Sequence, residues 1–307
     1  MKNHKNYFAK FLVQMLGACL AGVSFPAAAQ SVLEGPELLP LQPEKTVSAQ
    51  LQKLDTFGNY QLVQPDGSIV ILEKVNRFEV DDFNFDESPD FLVIRDQGFN
   101  TKADLFVYDA KAKKFTLLKP PAEVQEKMLC PAFSNLAIVT GADKKPVALS
   151  SSCMARRSTE VHFDYLKYDG DGRLWISQQY RHAPLEVPEA LLPYSDLPWG
   201  ITEQMTEYSA QGDVIREQRT SHALDPVVVK ILRSGMVLHE EPSDSAAVLQ
   251  TLGVAQICYL IDLDAQWMKL ECSARGKKNA GWLDWSKAVE GKSRPFMITE
   301  SKLVKQY

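Results

Sequence analysis

Val161-His162-Phe163-Asp164-Tyr165-Leu166-Lys167-Tyr168 and Leu174-Trp175-Ile176-Ser177-Gln178-Gln179-Tyr180 flank Asp169-Gly170-Asp171-Gly172, and this stretch decides the fold class. Polar and apolar residues alternate along each arm, the period-2 signature of an extended strand rather than the 3.6-residue period of a helix. A short Asp/Gly turn between two such arms reverses the chain into a β-hairpin.

The same grammar extends upstream. Strand-like runs lie at Tyr60 to Gln64, Ser68 to Glu73, Val75 to Val80, Phe91 to Arg95, Asp104 to Asp109 and Lys114 to Leu118. Pro65-Asp66-Gly67 and Gly98-Phe99-Asn100 punctuate them as turns. Residues 50–223 are therefore expected to form a multi-stranded antiparallel β-domain. Four prolines between His182 and Trp199 mark a composition shift. The stretch up to Ala223 is open to two readings, a linker or a closing strand pair at Ile201 to Tyr208 and Asp213 to Thr220. A second compact unit is expected over 224–288 and a tail over 289–307.

The first 29 residues read as an export signal. Lys2, Lys5 and Lys10 supply the basic end, Phe11 to Phe25 the apolar stretch, and Ala27-Ala28-Ala29 a small-residue cleavage site. Leu16-Gly17-Ala18-Cys19 offers the alternative of lipoprotein processing at Cys19, but the apolar run continues past it, which favours cleavage after Ala29. Residues 30–49, with Pro36, Pro40 and Pro43, read as a leader. An exported, periplasmic chain of about 278 residues is long enough for two domains with real cores. Losing three Lys and no acid takes the formal charge from −5 to −8. No basic stripe remains that would fit nucleic acid.

Four cysteines remain after cleavage, Cys130, Cys153, Cys258 and Cys272. An even count in an exported chain implies two disulfides. Four cysteines permit three connectivities, and the local one, Cys130 with Cys153 and Cys258 with Cys272, keeps each bond within one candidate domain.

Asp82-Phe83-Asn84-Phe85-Asp86-Glu87-Ser88-Pro89-Asp90 places oxygen-bearing side chains Asp82, Asn84, Asp86 and Asp90 at relative positions 1, 3, 5 and 9, with Ser88 at position 7. That spacing wraps a hard cation such as Ca²⁺. Strands rather than EF-hand helices flank it. Glu87 occupies the position where such loops usually carry Gly, and Val93 stands where an EF-hand has its last acid. A calcium loop and an acidic surface turn are both open.

Val227 to Leu232, Val237-Leu238-His239 with Pro242, Leu252-Gly253, Gln256 to Ile261, Gln266 to Leu270 and Gly281-Trp282-Leu283 together resemble a bacterial SH3-like domain. The resemblance covers about 60 residues and implies a small five-stranded barrel. In the Ile257–Asp262 and Trp267–Cys272 hairpin, Cys258 would then face Cys272 and Leu260 would face Leu270, within disulfide reach. Asn76 to Asp86 with Asp90 to Ile94, continuing through Asp104 to Asp109 and Phe115, is similar to exported β-proteins with a calcium loop of the FG-GAP/VCBS kind. That likeness implies a partial-propeller-like domain, because only one such loop is present where propeller blades repeat. Single-loop relatives include periplasmic lysozyme inhibitors and immunity proteins against peptidoglycan-degrading toxins.

Catalytic signatures are sparse. His162, His182, His222 and His239 fall in no zinc motif, and there is no nucleophile elbow or phosphate loop. Cys153, in Ser-Ser-Ser-Cys-Met-Ala, reads as half of a disulfide rather than a peptidase nucleophile. The expectation is an all-β binding protein, not an enzyme, that inhibits a peptidoglycan-degrading enzyme. Alternatives are an envelope-binding protein acting through the SH3-like domain, and a cell-wall hydrolase. For inhibition, Arg156 and Arg157 beside Cys153 match the carboxylates of a glycosidase cleft, although a solvated basic turn has the same sequence. For envelope binding, Tyr259, Trp267, Trp282 and Trp285 offer stacking surface. Trp267 and Met268 point to opposite faces, so a straight strand cannot bury both in one interior.

Overall fold

The computed structural model describes residues 37–38, 49–96, 100–154, 160–197, 200–274, 276–291 and 293–306. The expected signal segment, its Cys19, and Arg156 and Arg157 lie outside the described residues. The chain is all-β, and the described residues form four antiparallel sheets.

The first sheet is a meander of β1 (Glu37–Leu38), β2 (Gln50–Lys53), β3 (Tyr60–Val63) and β4 (Ile69–Leu72). The second is β5 (Arg77–Asp81), β6 (Asp90–Ile94), β7 (Ala103–Asp109) and β8 (Lys114–Leu118). A short helix at Ala122–Gln125 leads to the third, six strands in sequence order: β9 (Ala137–Thr140), β10 (Pro146–Met154), β11 (Val161–Tyr168), β12 (Leu174–Leu185), β13 (Ile201–Tyr208) and β14 (Val214–Thr220). The 201–220 segment is thus a strand pair of the third sheet, not a linker.

Three hairpin turns repeat one geometry. Gln64, Asp169 and Ser209 each donate their amide to the carbonyl four residues on, and Gly67, Gly172 and Gly212 donate back to them. Those glycines have φ of +83°, +75° and +86°, the left-handed conformation that closes a three-residue turn with a bulge. The glycine at the last turn position therefore sets where these strands reverse.

The second sheet lies between the first and the third. All five residues of β6 are buried, because neighbours cover both of its faces. Phe91 and Val93 join Leu51, Leu62, Leu72, Phe78, Phe106 and Phe115 in one core. Leu92 and Ile94 point the other way, onto Leu149, Leu166, Leu174 and Ile176 of the third sheet. Aromatic rings fill the first core, with Phe91 stacked on Phe106 at 4.8 Å and edge-on to Phe115 at 4.9 Å.

The fourth sheet holds seven strands: β15 (Val227–Ile231), β16 (Val237–His239), β17 (Val248–Thr251), β18 (Ile257–Leu263), β19 (Trp267–Ala274), β20 (Lys277–Asp284) and β21 (Phe296–Glu300). Their order is β17-β16-β20-β19-β18-β15-β21, so the pairing does not close a five-stranded barrel. The stretch expected to trail as a tail corrects that reading. Phe296, Met297 and Ile298 are apolar and buried, and β21 pairs with β15 along its whole length. A 3₁₀ turn at Glu189–Tyr194 inserts Leu191 into the same core, which also takes Ile201 at the start of β13. Within 182–197, Leu185, Val187, Tyr194 and Leu197 also pack against that core. Among the described residues no helix is long and apolar enough to cross a membrane.

Candidate functional site

The Asp82–Asp90 loop joins β5 to β6 and inherits its geometry from β6. Asp90, the first residue of that doubly covered strand, is fully buried. Its Oδ2 accepts the amides of Phe83 at 2.9 Å and Asn84 at 3.0 Å, and its Oδ1 accepts the amide of Tyr108 at 2.8 Å. Burial pushes the carboxyl up to about 7, the nearby Asp86 and Asp82 charges add to the rise, and the Tyr108 and Asn84 amides oppose it. The remaining loop acids are also tied to backbone. Asp82 accepts the amides of Asp86 (3.1 Å) and Glu87 (2.8 Å), and Asp86 accepts that of Ser88 at 2.7 Å. Asn84 reaches Asp86 through both its amide oxygen, to the backbone N–H, and its Nδ2, to Oδ2, each at 3.1 Å. Burial raises Asp82 as well, against the pull of the Glu87 and Asp86 amides.

Glu87 resolves the sequence anomaly at position 6. Its φ is +65°, the conformation glycine would adopt there, and Phe85 at +63° shares it. The loop keeps the sharp bend and bears the strain of two side chains in the left-handed region.

Tyr168, at the end of β11, covers the loop from the third sheet, a contribution invisible in the local sequence. Its ring meets Phe85 edge-on at 5.9 Å, and its buried hydroxyl has no hydrogen-bond partner among the described residues. Burial, with the charges of Asp90, Asp82 and Asp86, holds that phenol well above its ordinary range. Three carboxylates that repel one another in one covered loop suit a hard oxygen-seeking ion. The donor set is all oxygen, so the residues fit Ca²⁺ in kind. Among the described residues, however, no group of three or more His, Cys, Asp or Glu side chains stands arranged as a ready-made metal cage.

Both local disulfides are present. Cys130–Cys153 spans 5.4 Å between Cα atoms and Cys258–Cys272 spans 4.4 Å. Cys258 faces Cys272 and Leu260 faces Leu270 across β18 and β19, after which a bulge shifts Asp262 opposite Lys269. Around the first bond, buried Asp164 accepts the amides of Leu129 at 3.2 Å and Cys130 at 2.9 Å. Met154, next to Cys153, exchanges two hydrogen bonds with the Asn100 side chain, at 2.7 and 3.0 Å.

The expected aromatic surface is cut in half. Trp267 and Trp285 are 6% and 4% exposed, so neither offers a free face. Met268 fills the main core while Trp267 is buried on the other side of β19, edge-on to His239 at 5.9 Å. Opposite faces both end up covered, which needs no bend in the strand. Trp285 joins the core, its indole N–H donated to the Asp264 carbonyl at 3.0 Å. Tyr259 and Trp282 are half-buried and each carries a cation over its ring, Arg216 at 5.3 Å and Lys269 at 5.6 Å. Comparison of the sequence with known proteins finds no matching family model and no matching curated protein.

Proposed function

We propose that this protein is an exported binding protein that inhibits a peptidoglycan-degrading enzyme. The observation that carries the reading is the stem from which residues 155–159 continue. Cys153 is bonded to Cys130, and Met154 is fixed to Asn100 by two hydrogen bonds. A recognition segment launched from a fixed stem loses less conformational freedom on binding. That segment contains Arg156 and Arg157, whose guanidinium groups pair with carboxylates in bidentate fashion. Two buried disulfides support an oxidising compartment such as the periplasm.

In the same reading Ca²⁺ is a structural ion of the Asp82–Asp90 loop. Asp82, Asn84, Asp86 and Asp90 would hold it, with Ser88 contributing at position 7. The ion would supply the positive charge that these carboxylates lack. The test is residual activity of a panel of lysozymes and peptidoglycan amidases with the purified protein present in equimolar amount. Loss of activity of one panel member supports the reading, and full activity of every member contradicts it.

A further inference from the structure

A cleft of about 510 Å³ opens at the turn end of the third sheet, lined by none of the Asp82–Asp90 loop residues and none of the disulfide stem. It exists because β12 outruns its neighbour. The first β12 residue paired to β13 is Gln178, opposite Glu207, whereas Trp175 and Ile176 pair only with β11. The Asp169–Gly172 and Ser209–Gly212 turns therefore diverge, and the Ala122–Gln125 helix with Lys127 walls the gap between them.

We propose that this cleft binds a neutral oligosaccharide, with Trp175 as the stacking platform. All but one of its charges are engaged internally, and the exposed Asp171 carboxylate, with no partner among the described residues, is left as an acceptor for a hydroxyl. Arg173 pairs with Glu123 at 3.1 Å, and Lys127 donates its ammonium to the Gly212 carbonyl at 2.9 Å. Asp169 Oδ1 accepts the amides of Asp171 and Arg173, both at 2.9 Å. Such a site exerts little net pull on an ion, yet it presents donors and acceptors around an aromatic face. A pyranose has the complementary form, an apolar C–H face with hydroxyls around its rim.

The walls are fixed before any ligand arrives. Tyr208 donates its hydroxyl to Gln179 Oε1 at 2.7 Å, and Gln179 in turn donates to the Lys127 carbonyl at 2.8 Å and to buried Asp164 at 2.6 Å. Lys127 locks the far turn through Gly212, where a β-carbon would meet its Nζ at 2.7 Å. A preformed cleft spares the cost of ordering its walls on binding. Among the described residues no hydrogen bond uses the Trp175 indole N–H, which offers that donor to a hydroxyl. This site is independent of the inhibitor reading and of Arg156 and Arg157.

The experiment titrates the full chain with chitotriose, cellotriose and maltotriose by calorimetry, and follows the indole N–H resonances by NMR. At least one trisaccharide is expected to bind saturably and to move the Trp175 indole resonance. Trp175→Ala should weaken that binding about tenfold or more, and Phe57→Ala, at an exposed aromatic outside the cleft, should leave it unchanged. If Trp175→Ala does not fold, Trp175→Phe and Asp171→Asn take its place, each expected to weaken binding with the fold intact. No binding of any of the three sugars overturns the proposal, as does binding that leaves the Trp175 resonance unmoved or is equal in the Trp175 variant.

Discussion

Arg219 of β14 lies 3.1 Å from Asp262 of β18, and that contact ties the third sheet to the fourth. The same guanidinium donates to the Ile261 carbonyl at 3.2 Å and to the Ala183 carbonyl at 2.9 Å, and only 12% of the Arg219 side chain is exposed. One side chain thus satisfies two backbone carbonyls and a carboxylate from separate strands. Removing it strands those acceptors at a partly dry junction. Arg219→Ala is expected to cost about 1–3 kcal/mol in urea denaturation, more than Asp262→Ala, whose partner keeps its two carbonyls. Equal losses in the two variants would contradict this division.

Asp90 gives the fold a pH signature. Folded, its carboxyl holds a proton up to about pH 7, against an ordinary value of 3.8. Over that window the folded state binds more protons than the unfolded state, so stability falls as pH rises. Below the lower value both states are protonated and the contribution is complete; above the upper value it is lost. The shift corresponds to a contribution on the order of 4 kcal/mol. Thermal unfolding of the wild type and Asp90→Asn across this range, in EDTA so that no Ca²⁺ holds the carboxyl ionised, checks the point, since the variant should lose that part of the slope. Parallel pH profiles would refute it.

Ca²⁺ should act where the loop acids are ionised. Asp86→Ala removes the acceptor for the Ser88 amide and for Asn84 Nδ2 and is expected to lower stability by about 1 kcal/mol. EDTA should lower the melting temperature of the wild type near neutral pH and leave Asp86→Ala unchanged. A wild type indifferent to EDTA would reduce the loop to a self-bonded acidic turn.

The disulfides close loops of similar size, with sequence separations of 23 and 14. Loops of this length are stabilised by about 3 kcal/mol each when cross-linked. Cys258 and Cys272 are also fully buried in the main core of the C-terminal unit. A mild reductant should therefore open neither bond until denaturant is added, and Cys258→Ala/Cys272→Ala should lower stability by about 3 kcal/mol. Thiol labelling with and without denaturant measures the first effect, and urea titration the second.

Burial separates the tryptophans by role. Trp285→Ala empties a core position and should cost about 3–5 kcal/mol, whereas Trp282→Ala, losing one cation–ring contact, should cost about 1 kcal/mol or less. Denaturation curves of the two variants distinguish them, and similar losses would mean that Trp282 is structural too.

Much of the architecture is written locally. Alternation and Gly-bearing turns mark the hairpin through Asp169–Gly172, the strands around Asp82–Asp90, and the Cys258–Cys272 register. Three things are not local. β10 carries Ser150-Ser151-Ser152, whose buried middle hydroxyl lies within hydrogen-bond reach of the distant Pro131 and Ser134 carbonyls. β21 gains its strand identity from β15, and Trp267 its burial from His239. The loop shows the same division: its spacing is legible, but the covering Tyr168 and the burial of Asp90 come from sheets remote in sequence.

The central claim is tested most directly by one inhibition measurement. The panel enzyme blocked by the wild type is assayed against Arg156→Glu/Arg157→Glu, with the Cys130–Cys153 bond confirmed intact in both proteins. Pairing of guanidinium groups with cleft carboxylates predicts at least about a hundredfold loss of potency on charge reversal, since truncating one partner of a desolvated pair alone costs about 2–5 kcal/mol. Equal potency of the two proteins would contradict it.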